Sequence, residues 1–218
     1  VPPARRDAVV RKLEDALARA DGQLTTGRAT TTRALVELSR AGVAPDVYAC
    51  DTRYPALGWQ LQRGATSVWE RRDALAPDRA ELDARSGDLA GLGFTSIGEW
   101  LVGWVAGLRP DERTPGWSRF VVAPAPCARV TSASASHDAL RGRVEAGWTK
   151  RGDVFELDVL VPPNTSATVV LPVPEAAPLS ESGKPVAESA EYVRVVERKG
   201  GRTVLEVRAG RYHFRAGG

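Results

Sequence analysis

Near residue 118 the spacing of apolar residues along this chain changes from about 3.6 to about 2. A segment cannot satisfy both periods, so helices are expected before that point and strands after it. In Arg6–Ala20 the apolar residues Val9, Val10, Leu13, Ala16, Leu17 and Ala20 recur on one helical face, and Asp21-Gly22 supplies a stop. A second helix is expected over Thr30–Arg40, with Leu35, Val36 and Leu38 facing in and Gly42 just past its end. Pro45 opens a short helix carrying Val47 and Tyr48, and Pro55 opens one carrying Leu57, Trp59 and Leu61 that Gly64 ends. The stretch Ala74–Asp88 is polar and aperiodic, which reads as a loop. Phe94–Leu108 then places Ile97, Leu101, Trp104, Val105 and Leu108 in one stripe, so the chain is expected to be helical up to about Leu108.

Beyond the change, Phe120–Val122 reads as a strand. Val144, Ala146 and Trp148 alternate with Arg143, Glu145 and Gly147; Phe155, Leu157, Val159 and Val161 alternate with Glu156, Asp158 and Leu160; and Lys150–Asp153 between them is a turn. Thr168–Leu171 is a further strand. Val193–Val196 and Val204–Val207 flank Lys199–Arg202 as a second hairpin, and Tyr212 and Phe214 mark a last strand. The segment around His137 reads as a Ser-rich loop, and Ala176–Ser189 as an extended surface connection. Helices followed by strands imply two domains, divided near Trp117–Arg119: 1–118 helical, and 119–218 an antiparallel β-sandwich.

Composition narrows the possibilities. The 30 basic and 27 acidic residues are interspersed, so the net charge of +3 describes no phosphate-binding stripe, and nucleic acid is not an expected partner. No apolar run approaches the roughly 18 residues of a membrane span, and no signal peptide is expected from the opening residues. With two His and with Cys50 far from Cys127, neither a zinc site nor a disulfide framework is expected. There is no Met, so Val1 is not a translation start, and the chain is expected to be trimmed or a piece of something longer.

Few residues are placed to carry chemistry. Phosphate-binding glycine loops are missing, and neither His137 nor His213 sits near a nucleophile elbow. Asn164-Thr165-Ser166 fits a glycosylation pattern but follows Pro162-Pro163, where a turn is the simpler reading. Two carboxylates stand out. Glu99, inside the last helix, reads as a surface or interhelix hydrogen-bonding group. Glu70 follows Trp69 at a helix-to-loop junction and precedes Arg71-Arg72, whose guanidinium groups favour the ionised form that a general base needs.

The wording around Glu70 is more specific. Tyr54-Pro55-Ala56-Leu57-Gly58-Trp59 and Arg63-Gly64-Ala65-Thr66-Ser67-Val68-Trp69-Glu70-Arg71 resemble the YPSWGY and QGATTIWERW patterns of the bacterial α-L-rhamnosidases of glycoside hydrolase family 78. Further segments resemble that family in its own order: Leu24–Gly27, Ser96–Trp100, Trp104–Leu108, Trp117–Val122 with Pro124, Thr131–Ser136, Gly142-Arg143 and Pro162–Thr165. The resemblance runs from about residue 20 to about residue 214.

It implies an α+β chain of two domains, in which the last helices of an (α/α)₆ toroid precede a C-terminal β-sandwich. It implies an inverting glycoside hydrolase acting on terminal α-L-rhamnosyl groups, with a rhamnosylated carbohydrate or glycoside as substrate and no cofactor. By the same resemblance Glu70 is the general base. The general acid and most sugar-binding residues lie in the family's upstream helices, outside these 218 residues, so turnover by this chain alone is not expected. Aligned on Ser96–Trp100, Ala90 and Gly91 stand where the family has an Asn-His pair, and Arg72 stands where Trp is common. The alternative reading is a non-catalytic carbohydrate-binding or scaffold module derived from a rhamnosidase, and a purely packing role is the third.

Overall fold

The computed structural model describes residues 3–24, 26, 28–43, 52–54, 56–69, 97–126, 130–189 and 191–217. They fall into two compact units, one within Val1–Trp100 and the other comprising Leu101–Pro126 and Val130–Gly218. The expected helix at Val47 and Tyr48, the loop Ala74–Asp88, Phe94–Ser96, and Cys50 and Cys127 lie outside the described residues.

The first unit holds α1 (Pro3–Arg19), α2 (Arg28–Arg40), α3 (Leu57–Gln62) and α4 (Ile97–Trp100). Val10 and Leu17 of α1, and Leu35 and Leu38 of α2, are buried as their spacing requires, while Val36 is half-buried. Helix α2 packs against α1 and α4. Arg6 bridges Glu37 at 3.1 Å, and the buried Trp100 donates its indole N–H to Ser39 Oγ at 3.0 Å. All three longer helices end alike. Gly22, Val43 and Ala65 donate backbone N–H groups to the carbonyls of Leu17, Leu38 and Gln60, five residues back. The reversal needs a left-handed residue, supplied by Asp21, Gly42 and Gly64.

The second unit opens with a π-helical turn, Leu101–Val105, in which Ala106 N–H reaches the Leu101 carbonyl at 2.9 Å. A strand follows almost at once. The expected helix to Leu108 is therefore shorter than its apolar stripe suggests. Gly107, at φ +86°, turns the chain, and Leu108 enters a sheet opposite Val122.

Among the described residues, eleven strands form two sheets in this unit. The first has the order β1 (Leu108–Pro110), β2 (Arg119–Val122), β6 (Ser166–Leu171), β10 (Arg202–Val207), β9 (Val193–Lys199). The second has the order β3 (Ser132–Ala139), β4 (Gly142–Arg151), β5 (Val154–Val161), β11 (Gly210–Ala216), β7 (Leu179–Glu181), β8 (Lys184–Pro185). Their inner faces share one core, with Phe120, Val169 and Leu205 from one sheet and Trp148, Leu157 and Phe214 from the other. Trp148 stacks on Phe155 and donates its indole N–H to the Val105 carbonyl at 3.0 Å, tying the π-helical turn to the sandwich.

Three details depart from expectation. The sandwich is antiparallel except that β2 and β6 run parallel. The Ser-rich stretch around His137 is strand β3, not a loop. Its even-numbered serines face solvent while Ala133 and Ala135 pack against the core. The supposed surface connection at 176–189 contains the small hairpin β7–β8. Its two-residue turn, Ser182-Gly183, has positive φ at both positions, and Leu179 and Val186 are buried.

The outward faces carry paired charges. Arg215 beside Glu156, with a further bond from Thr149, holds that carboxyl below its ordinary 4.5, and Arg194 does the same for Glu206. A carboxylate depressed in the folded state contributes stability above its unfolded value and loses it as pH falls. Both groups are half-buried at the surface and screened by solvent, so the effect is small. The melting temperature of the chain is expected to fall between pH about 5 and about 3, with a shallower fall in Glu156→Gln. Calorimetry across that range checks this, and identical slopes for the two proteins would count against the pair.

Candidate functional site

The described residues before Glu70 form a fixed platform. Helix α3 is short and its apolar pattern is irregular: Leu57 is buried, Trp59 half-buried and Leu61 exposed, whereas the polar Gln60 is only 1% exposed. Tyr54 meets Trp59 edge-on at 5.8 Å, and the Arg63 guanidinium lies 4.5 Å from the Trp59 ring centroid. Gln23 donates to the Tyr54 carbonyl at 3.0 Å, and Arg53 pairs with Asp21. The loop between helices is thereby tied to the end of α1.

After α3 the left-handed Gly64 turns the chain toward Trp69. Trp69 is 3% exposed, and its backbone N–H donates to Gln60 Oε1 at 3.2 Å. Glu70 follows directly. Glu70 itself, Arg71, Arg72, Ala90 and Gly91 lie outside the described residues.

Other sequence candidates have ordinary surroundings. Glu99 is exposed on α4. His213 is exposed on β11, its Nδ1 2.8 Å from Asp158 Oδ1, and His137 stacks on Trp117 with ring centroids 4.5 Å apart. Asn164 has φ +58° and Thr165 Oγ1 donates to the Pro162 carbonyl at 2.6 Å, so the tripeptide is a turn. A groove of about 650 Å³ crosses the outer face of the six-stranded sheet, lined by Ser134, Gly147, Asp158, Arg211 and His213 among others. Among the described residues no group of His, Cys, Asp and Glu could hold a metal ion, and no helix is long and apolar enough to cross a membrane. Sequence reasoning passed over Gln60, since a glutamine between Trp59 and Leu61 carries no sign of burial. The one available signal was its place on the buried side of Leu57, three residues earlier.

Comparison with known proteins gives these elements a family. The bacterial α-L-rhamnosidase 6 hairpin glycosidase domain matches residues 1–105, and the bacterial α-L-rhamnosidase C-terminal domain matches residues 107–185. An α-L-rhamnosidase of Streptomyces avermitilis is 30% identical over 216 residues, which is 98% of this chain and 20% of that protein. One of Formosa agariphila is 25% identical over 207 residues, 94% of this chain and 22% of the relative. The crystal structure of the Streptomyces avermitilis enzyme complexed with L-rhamnose superposes with a TM-score of 0.81, covering 99% of this chain and 20% of that one. The α-L-rhamnosidase from Dictyoglumus thermophilum superposes with a TM-score of 0.75 at 26% identity, covering 100% of this chain and 24% of that one. The chain thus spans about a fifth of the length of the curated relatives it matches. With the two domain matches lying end to end along it, the chain belongs to the bacterial α-L-rhamnosidase family and corresponds to its C-terminal portion.

Proposed function

We propose that these residues serve an inverting glycoside hydrolase that removes terminal α-L-rhamnosyl groups, with Glu70 as the base that activates water. In this reading the helices up to Trp100 belong to the catalytic domain, and the strands from Leu108 onward form the C-terminal sandwich. The observation that carries the reading is the anchored Trp69. A general base must hold its carboxylate within hydrogen-bond reach of one water, and the residue before Glu70 is buried with its peptide N–H bonded. The likeness to a relative crystallised with L-rhamnose supports the substrate class.

Inversion requires a protonated acid on the other side of the scissile bond, about 6.5–9.5 Å from the base. That acid belongs to helices outside the 218 residues, so residues 1–218 alone are expected to release nothing from an aryl α-L-rhamnoside. Joined to a complete catalytic domain they are expected to do so, with β-L-rhamnose as the first anomer seen by proton NMR. Appearance of the α-anomer first would refute inversion. Absence of turnover in the complete protein would favour the carbohydrate-binding reading, to which Ala90 and Gly91, in place of the family's Asn-His, already lend some weight.

A further inference from the structure

Gln60 is the most deeply buried polar side chain of α3. A glutamine amide brings two donors and an acceptor into the interior, and burial penalises each one left unmade. The residue uses its two oxygens separately. Its backbone carbonyl accepts from Arg63 N–H at 3.1 Å and Ala65 N–H at 3.0 Å, which closes the helix at Gly64. Its side-chain Oε1 accepts from Trp69 N–H at 3.2 Å. One residue therefore shapes the whole path from the helix end to the peptide before Glu70. Its Nε2 is equally buried and has no hydrogen-bond partner among the described residues. A Leu or Met here would fill similar space without that penalty, so the packing of α3 does not account for a glutamine. The bond to Trp69 does.

We propose that Gln60 is a positioning residue for the reaction: it clamps the peptide of Trp69, the residue that directly precedes Glu70. The inference rests on the assignment of Glu70 as base. The clamp sits one residue, about 3.8 Å of Cα path, before the carboxylate's own backbone. A base displaced by about 1 Å from its productive geometry can lose about 10²-fold in rate. Gln60 touches neither substrate nor water in this scheme; it acts through the main chain.

The test uses the protein with its complete catalytic domain and an aryl α-L-rhamnoside. Gln60→Met keeps length and burial but removes the acceptor. It is expected to lower kcat by about 10- to 100-fold with KM near the wild-type value, and to lose hydrogen-exchange protection at the Trp69 amide. Gln60→Glu keeps an acceptor oxygen at the same reach, and is expected to recover at least tenfold of the lost kcat together with the protection. A merely structural glutamine would instead alter melting temperature without splitting kcat from KM, and Glu would not rescue it. If Gln60→Met does not fold, Gln60→Asn, one carbon too short to reach Trp69, takes its place with the same expected losses. Glu70→Gln separates the two ideas. If that variant is inactive while Gln60→Met turns over at the wild-type rate, the clamp is overturned and the base stands. If Glu70→Gln is fully active, the base assignment fails and the clamp's role in catalysis fails with it.

Discussion

Glu70→Gln, in the protein with a complete catalytic domain, is expected to reduce release of L-rhamnose from an aryl α-L-rhamnoside by about 10²–10⁴-fold, the range for removing one acid–base group. The amide has nearly the volume of the carboxylate, so the melting temperature should hold within about 1 °C. The amide cannot take a proton from water, and this is the step that fails. The loss should lie in kcat, because the base acts on water in the transition state and contributes little to holding the sugar. The acid limb of the pH–rate profile should disappear with the carboxylate that titrates it. Each tenfold corresponds to about 1.4 kcal/mol of barrier, so a fall of less than tenfold would remove Glu70 from the chemistry.

The largest change in stability is expected at Gly107. Its φ is +86°, and a Cβ there would lie 2.3 Å from Pro124 N and 2.5 Å from the Ala123 carbonyl carbon. Both are backbone atoms, and the same two segments are held by a bond from Ala123 N–H to the Gly107 carbonyl at 2.8 Å. No flexible side chain can move aside. Gly107→Ala therefore combines a left-handed alanine, at about 1–2 kcal/mol, with an overpacked contact at about 1–3 kcal/mol. A loss of about 4 kcal/mol is expected in urea denaturation of the chain. That is a large share of a typical folding free energy of about 5–15 kcal/mol. Gly64→Ala is the control. Its φ is +79°, but no atom lies within 4 Å of the added methyl, so only the backbone penalty of about 1 kcal/mol remains. If the two variants lose the same amount, the close approach at Pro124 is not what matters.

Much of this architecture was readable before any coordinates. The helix ends at Asp21-Gly22, Gly42 and Gly64 were legible because a left-handed residue announces itself as Gly or Asp. The two long hairpins were legible because β-branched and aromatic residues alternate along them. Strand β3 was not. Ser and Ala carry little strand propensity, and the segment becomes a strand because the edge of β4 offers it backbone partners. The end of the last helix was misplaced for a related reason. Leu108 continues a helical stripe in one dimension, yet in the fold it pairs with Val122. At the candidate site Glu70 was legible only through its neighbours' resemblance to a family. Gln60 was not legible at all, since its burial depends on a loop that turns back over α3.

The position of β11 sets a schedule for synthesis. It lies between β5 and β7 in the six-stranded sheet, yet of that sheet's described strands it is made last. Strands β3, β4 and β5 can zip together as they emerge, which leaves one side of β5, Val154–Val161, without a partner. About 55 residues separate Val161 from Ala216, and at about 5–20 residues per second a ribosome takes roughly 3–11 s to deliver them. For that interval Phe155, Leu157, Val159 and Val161 border an open edge of unpaired backbone groups, the kind that recruits a strand from a neighbouring nascent chain. Crowded polysomes should therefore yield exchanged dimers in which one molecule's β11 fills another's gap, and slower initiation should suppress them.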